Sequence, residues 1–362
     1  MSTVNKKKAT IKRASKAARD NATKLDTEAM QWLKILYSEM AHYVEEVIRG
    51  TSDENTLTLA QLGLLKQKLT TGLSRLYEAL TEALDGYLRR AAALGAEVMR
   101  GFVEPMRLAE HLDRAVLTTR SFIASDGLQL SERLWRLNDG ANDAVIKHVE
   151  RAVTLGQSAS EATRDFLSRQ DPVPATVRKH LSDANPERLA RTAAENLMTG
   201  KMNPYDQAKR VFRTEINRAH GLAYQNAVFD DDEVAGTRFL LSPHHKVKDI
   251  CDMHASVNRY GLGKGVYPKG KSPWPAHPNT LSYEVVVFND EVSQEDKQSE
   301  TRIEWLNQQS EELQIRVLNS RAKQKALMAG VLTERQIQTP WKTLKIYYQR
   351  KGIDLDFLRV DN

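Results

Sequence analysis

The stretch from Phe239 to Phe288 constrains this chain more than any other. It opens on Phe239-Leu240-Leu241 and closes on Val285-Val286-Val287-Phe288, two short apolar runs of the kind that form strands. Between them Gly261, Gly263, Gly265, Pro268, Gly270, Pro273, Pro275 and Pro278 recur too densely for a helix, so the interval must be turns and extended pieces. A loop that long inside a compact domain needs something to hold it. The same stretch contains the only cysteine and four of the nine histidines. Cys251 and His254 stand one knuckle apart and His277 can return to them. A Cys/His/His zinc (Zn) site completed by Asp249, Asp252 or water is therefore chemically sensible.

A chain of 362 residues with 41% apolar content has the material for about two domains and at least one proper core. No apolar run approaches the length of a membrane span, and no apolar region follows the basic N-terminus, so neither a membrane helix nor a signal peptide is expected. One cysteine cannot form an internal disulfide, which points to a reducing, intracellular place of synthesis. The net charge of +6 is unevenly placed: the first 24 residues carry eight Lys/Arg against the single acid Asp20, and the rest of the chain nets −1. Residues 1–25 read as a basic, disordered arm. Lys6, Lys7, Lys8, Lys12, Arg13, Lys16 and Arg19 suit a nucleic-acid backbone, while the bland reading is a solvated solubility tail.

From Asp26 onward the pattern is helical. Asp26-Thr27-Glu28 offers cap chemistry, and Leu62, Leu65, Leu69, Leu73, Leu76, Leu80, Leu84 and Leu88 form a stripe at three- and four-residue steps. Such a stripe is a bundle core or a partner-helix seam. Gly63, Gly72, Gly86 and Gly95 argue against a single helix, and Asp171 to Asn185, with Pro172 and Pro174, reads as a linker. On the tract Tyr205 to Ala227, Glu215 lies among small and apolar neighbours and calls for a cation, with Arg218 or Arg238 the obvious choices. Arg213, Glu215 and Arg218 are thus expected to be structural. After Phe288 a polar interval leads to C-terminal helices, the last capped by Thr339 with Pro340 at its first position, and its Trp341, Tyr347 and Tyr348 want a docking surface.

The expected fold is mainly α. A helical region (26–170) precedes a small α+β module (171–290) with a short antiparallel sheet and the long Gly/Pro-rich loop; a polar linker and C-terminal helices (291–362) follow.

Several of these residues carry a resemblance. Phe212-Arg213-Thr214-Glu215, Asn217-Arg218-Ala219 and Tyr224-Gln225-Asn226-Ala227 look like the R-T-E, N-R-A and N-x-A helix of the phage Mu protein F-like head morphogenesis family. Asp249-Ile250-Cys251-Asp252-Met253-His254, then Pro275-Ala276-His277-Pro278-Asn279, resemble that family's D-x-C-x-x-(C/H) and H-P-N-C-x-C elements, and Arg316 to Leu332 is similar to its R-x-x-L-x-x-G-x-L-T segment. The resemblance covers roughly residues 130–335. Thr280 and Ser282 stand where the family commonly has cysteines, so two soft ligands are missing here.

The resemblance implies a non-enzymatic minor head (capsid) protein of the virion, assembled in the host cytoplasm. Its expected partners are the portal protein, the major capsid or scaffold protein, copies of itself, and phage DNA through the basic arm; no membrane is expected. The enzyme alternative is a metal-dependent nuclease using His254, Asn258 and His277 with Asp249 or Asp252.

Overall fold

The computed structural model describes residues 3–51, 57–124, 126–243 and 245–358. It is mainly α-helical with one small antiparallel sheet. In chain order the helices before the sheet are α1 (Thr3–Arg49), α2 (Leu59–Ala96), α3 (Pro105–Ser121), α4 (Leu130–Asn142), α5 (His148–Ser168), α6 (Ala175–Asp183), α7 (Pro186–Met198) and α8 (Pro204–Val228). A π-helical turn, Asp143–Lys147, joins α4 to α5. Then come β1 (Val234–Leu240), α9 (Ile250–Ser256), β2 (Val266–Tyr267) and β3 (Tyr283–Phe288). The C-terminal helices are α10 (Arg302–Asn307), α11 (Glu311–Leu318), α12 (Arg321–Met328) and α13 (Trp341–Arg350). Among the described residues no helix is long and apolar enough to cross a membrane.

Contacts divide the chain into two compact units that do not follow the four segments read from the sequence. One comprises Thr23–Arg90 and Val116–Ile216. In it α2 passes through Gly63, Gly72 and Gly86 without a break, and the leucines of its stripe from Leu62 to Leu88 are buried, as are Leu33, Tyr37, Val44 and Ile48 of α1. The stripe is a core of this unit and not an open seam. Tyr43 donates from its hydroxyl to the Lys68 carbonyl at 2.9 Å, and Arg90 grips both carboxylate oxygens of Glu28 at 2.7 Å. The expected linker contains α6, because Pro172 and Pro174 lie just ahead of its first turn, where a missing N–H costs nothing.

The other unit comprises residues up to Ala22, then Ala91–Ala115 and Asn217–Asn362. Here the arm expected to be disordered is helix. Ile11 and Ala18 share a face and are buried with Tyr224, Val228, Val286 and Phe288. The Ser15 hydroxyl lies 3.1 Å from that of Tyr224, which in turn accepts the Val286 N–H at 2.8 Å. Acids far along the chain offset the arm's charge: Lys7 pairs with Asp231 and Lys8 with Asp290, each at 2.8 Å, and Lys12 pairs with Glu291. The cap chemistry read at Asp26 does not start a helix, since α1 is already six turns long there.

Val285–Phe288 lies in β3 as expected, whereas Phe239 and Leu240 are only the end of β1, which begins at Val234, and Leu241 falls outside it. The sheet order is β2-β1-β3, all antiparallel, with Thr237 opposite Tyr267 and Val286. Gly265 brings the chain into β2 with φ +70°, and a side chain there would press on the Ala255 carbonyl oxygen at 2.6 Å. The C-terminal helices pack on α9: Met253 and Val257 join Trp305, Leu306, Val317, Leu327, Leu344 and Tyr348 in one cluster. The last helix therefore finds much of its docking surface inside this unit. Pro340, not Thr339, is its N-cap, and Tyr347 remains exposed.

Candidate metal centre

The site begins at the N-terminus of α9. Asp249 is its N-cap: the carboxylate accepts the Cys251 N–H at 2.7 Å, while the Asp252 carboxylate accepts the Asp249 N–H at 2.8 Å. This reciprocal box fixes Asp249 and directs Cys251 inward, where it is fully buried beside Phe239, Tyr267 and Trp274.

The loop returns to Cys251 by way of α8. Trp274 donates its indole N–H to the Asn217 carbonyl at 3.2 Å, and the Asn217 side chain donates to the Thr280 carbonyl at 2.8 Å. Gly221, one turn along α8, leaves the room the indole occupies, since a Cβ there would overlap the ring. These anchors set His277 on Asp249, with Nε2 3.1 Å from Oδ2, and Nδ1 2.8 Å from the Pro278 carbonyl. A carbonyl only accepts, so Nδ1 carries a proton.

Ligand atoms of Asp249, Cys251 and His277 all lie within 4.8 Å of one another. A second set, His245, Asp249 and Asp252, meets the same limit and shares Asp249, with His245 Nε2 donating to Asp252 Oδ2 at 2.9 Å. The Thr280 hydroxyl lies 3.7 Å from the Cys251 sulfur, so one of the two positions that lack cysteine still touches the cluster. The hydrogen bond His277 donates to Asp249, then the neighbouring Cys251, push the His277 imidazole up to about 10. Burial works against the Asp249 carboxylate, but hydrogen bonds from His277 and the Cys251 N–H hold it below its ordinary range.

Of the four residues expected at the metal, Asp249, Cys251 and His277 come together and His254 does not. His254 is 2% exposed, edge-on to Phe239 and Tyr267, and burial followed by the charges of Arg302 and Arg259 pushes it down to about 3. Its Nε2 has no hydrogen-bond partner among the described residues. Asn258 is a clamp. Its amide donates to the Asp296 and Gln298 carbonyls at 2.8 and 2.7 Å and accepts the Gly263 N–H at 3.1 Å.

The structural trio is buried or partly buried. Arg213 holds both carboxylate oxygens of Asp26 at 3.0 and 3.1 Å, and Arg218 is buried. Glu215, 0% exposed, accepts from Arg133 of α4 at 2.6 Å, a cation that local spacing does not reveal. Glu284 of β3 was also missed: it is a buried carboxylate taking hydrogen bonds from Gln225, Thr237 and Ser272. On the arm, Lys6, Arg13 and Lys16 are exposed and have no acidic partner among the described residues, and Arg19 stacks on Tyr283 at 3.5 Å.

Comparisons with protein-family models, curated proteins and solved structures find no match.

Proposed function

We propose that this chain is a minor head protein acting in phage head morphogenesis, placed near the portal and contacting the portal, major capsid or scaffold protein. One observation carries the reading. Residues from separate parts of the family-like pattern meet in the loop: Asn217, helped by Gly221 of the same helix, holds Trp274 and Thr280 on either side of His277, and His277 lies against Asp249 and Cys251. A pattern whose members hold one another in place is more specific than the same residues scattered. The role supported is structural. The nuclease alternative finds less support, because Asn258 commits its amide to backbone groups and His254 is enclosed.

DNA contact in this reading falls to Lys6, Arg13 and Lys16, since Lys7, Lys8 and Lys12 are paired with the chain's own acids. The test is a comparison of heads made by a phage with and without this protein, together with co-purification against portal and procapsids. Heads defective in assembly, packaging or DNA delivery are expected without it. Normal infectious heads from the null, or Mg²⁺- or Zn²⁺-dependent DNA cleavage lost in His277→Ala, would overturn the assignment.

A further inference from the structure

We propose that Asp249, Cys251 and His277 bind one zinc-class divalent ion, and that His245 supplies the fourth ligand. Zinc–ligand bonds of about 2.0–2.3 Å place the corners of a tetrahedron roughly 3.3–3.8 Å apart. Three donor atoms already within 4.8 Å of one another need only a small contraction to reach that spacing.

The donors are also prepared. A ligating histidine ordinarily has its other nitrogen held by a carbonyl or carboxylate. Both histidines meet that condition: Pro278 O holds Nδ1 of His277, whose Nε2 would exchange its hydrogen bond to Asp249 Oδ2 for the metal, and Asp252 Oδ2 holds Nε2 of His245 and leaves Nδ1. Asp249 divides its duties likewise, with Oδ1 on the Cys251 N–H and Oδ2 toward His277. Asp249 belongs to both donor sets, whereas His245 lies outside the spacing that unites Asp249, Cys251 and His277, so it reaches the ion only by a swing of its ring toward Asp249. The Cys251 thiol and the Nε2–H of His277 each lose a proton to solvent on ligation, after which the charges of Cys251 and Asp249 together neutralise the dication.

His254 has none of this. It is enclosed by rings and is in neither set. The ion would tie the segment before α9 and the start of α9 to the returning loop, the tether that a long Gly/Pro-rich excursion requires.

The site stands apart from the head assignment, because the test reads only these side chains. Full-length protein purified without a histidine tag is titrated with Zn²⁺ against a chromophoric chelator, and with Co²⁺ for the thiolate charge-transfer absorption. One ion per chain is expected, with a cobalt spectrum showing sulfur in a four-coordinate site. Cys251→Ser and His277→Ala should weaken binding about 100-fold or more, and His245→Ala about 10- to 100-fold, while His254→Asn leaves it unchanged. Less than ~0.2 equivalents bound by the wild type, with no uptake on titration, removes the site altogether. Full affinity in His245→Ala, or lost affinity in a folded His254→Asn, refutes the fourth ligand; circular dichroism establishes the folding of each variant.

Discussion

Glu284 should make the stability of the sheet unit depend on pH near neutrality. The carboxylate lies on β3 and takes hydrogen bonds from Gln225 of α8 at 2.5 Å, from Thr237 of β1 at 3.2 Å, and from Ser272 of the loop. All three donors are neutral. Burial pushes the group from its ordinary 4.5 up to about 7, partly opposed by those hydrogen bonds. The folded state thus binds a proton that the unfolded chain releases between these values. The stability linked to this proton is fully present below pH 4.5 and is lost as pH rises through about 7. The difference is about 3 kcal/mol, at about 1.4 kcal/mol per pH unit. Glu284→Gln removes the titration and keeps the shape; the Gln225 amide needs only to turn over to present its oxygen. The advantage of the variant over wild type should grow by about 2–3 kcal/mol between pH 5 and pH 8. Urea unfolding at pH 5, 6, 7 and 8 reads the difference, and carboxyl carbon NMR reads the titration directly. A wild-type carboxyl titrating below pH 5, or a variant gain that is the same at every pH, would refute the reasoning.

Gly221→Ala should displace the Trp274 indole and cost about 1–3 kcal/mol, seen as a red-shifted tryptophan emission and faster exchange in the loop. Arg133→Ala removes the cation hydrogen-bonded to fully buried Glu215 and should destabilise the helical unit by about 2 kcal/mol or more, measured by urea unfolding. If the exposed face of the arm binds DNA, three free cations give a log–log salt slope of about −3, which Lys6→Ala, Arg13→Ala and Lys16→Ala together should flatten. A slope steeper than about −5, or one untouched by the triple substitution, would mean that the paired lysines also reach the phosphates.

What could be read in the sequence was what local pattern decides. The leucine steps of α2, the turn-rich interval and the run Val285–Phe288 gave their elements directly, because period and punctuation are properties of neighbouring residues. Asp249, Cys251 and His277, which lie within 4.8 Å of one another, were picked out in the sequence by chemical type and spacing. The arm was not legible as a helix: its net charge signals a solvated chain, and the acids that offset it, Asp231, Asp290 and Glu291, lie more than 200 residues away. Arg133 was hidden for the same reason, with 82 residues between it and Glu215.

That His245, and not His254, lies beside Asp249 has a more specific cause. A Cys-x-x-His spacing serves a metal knuckle only where the chain turns there, but between Asp249 and Val257 the chain is a capped helix. Its N-cap carboxylate takes the Cys251 N–H and so places the cysteine at the mouth of the loop, while residues 253 and 254 are drawn into packing, Met253 against the C-terminal helices and His254 against Phe239 and Tyr267. His245 precedes the cap and is free of the helix. Asp252, which closes the capping box from inside the helix, is also the group that holds its ring. The helix cap thus sets which of the two histidines stays with the donors: the Asp249–Asp252 pair that starts α9 also orders His245, and the helix it starts carries His254 away.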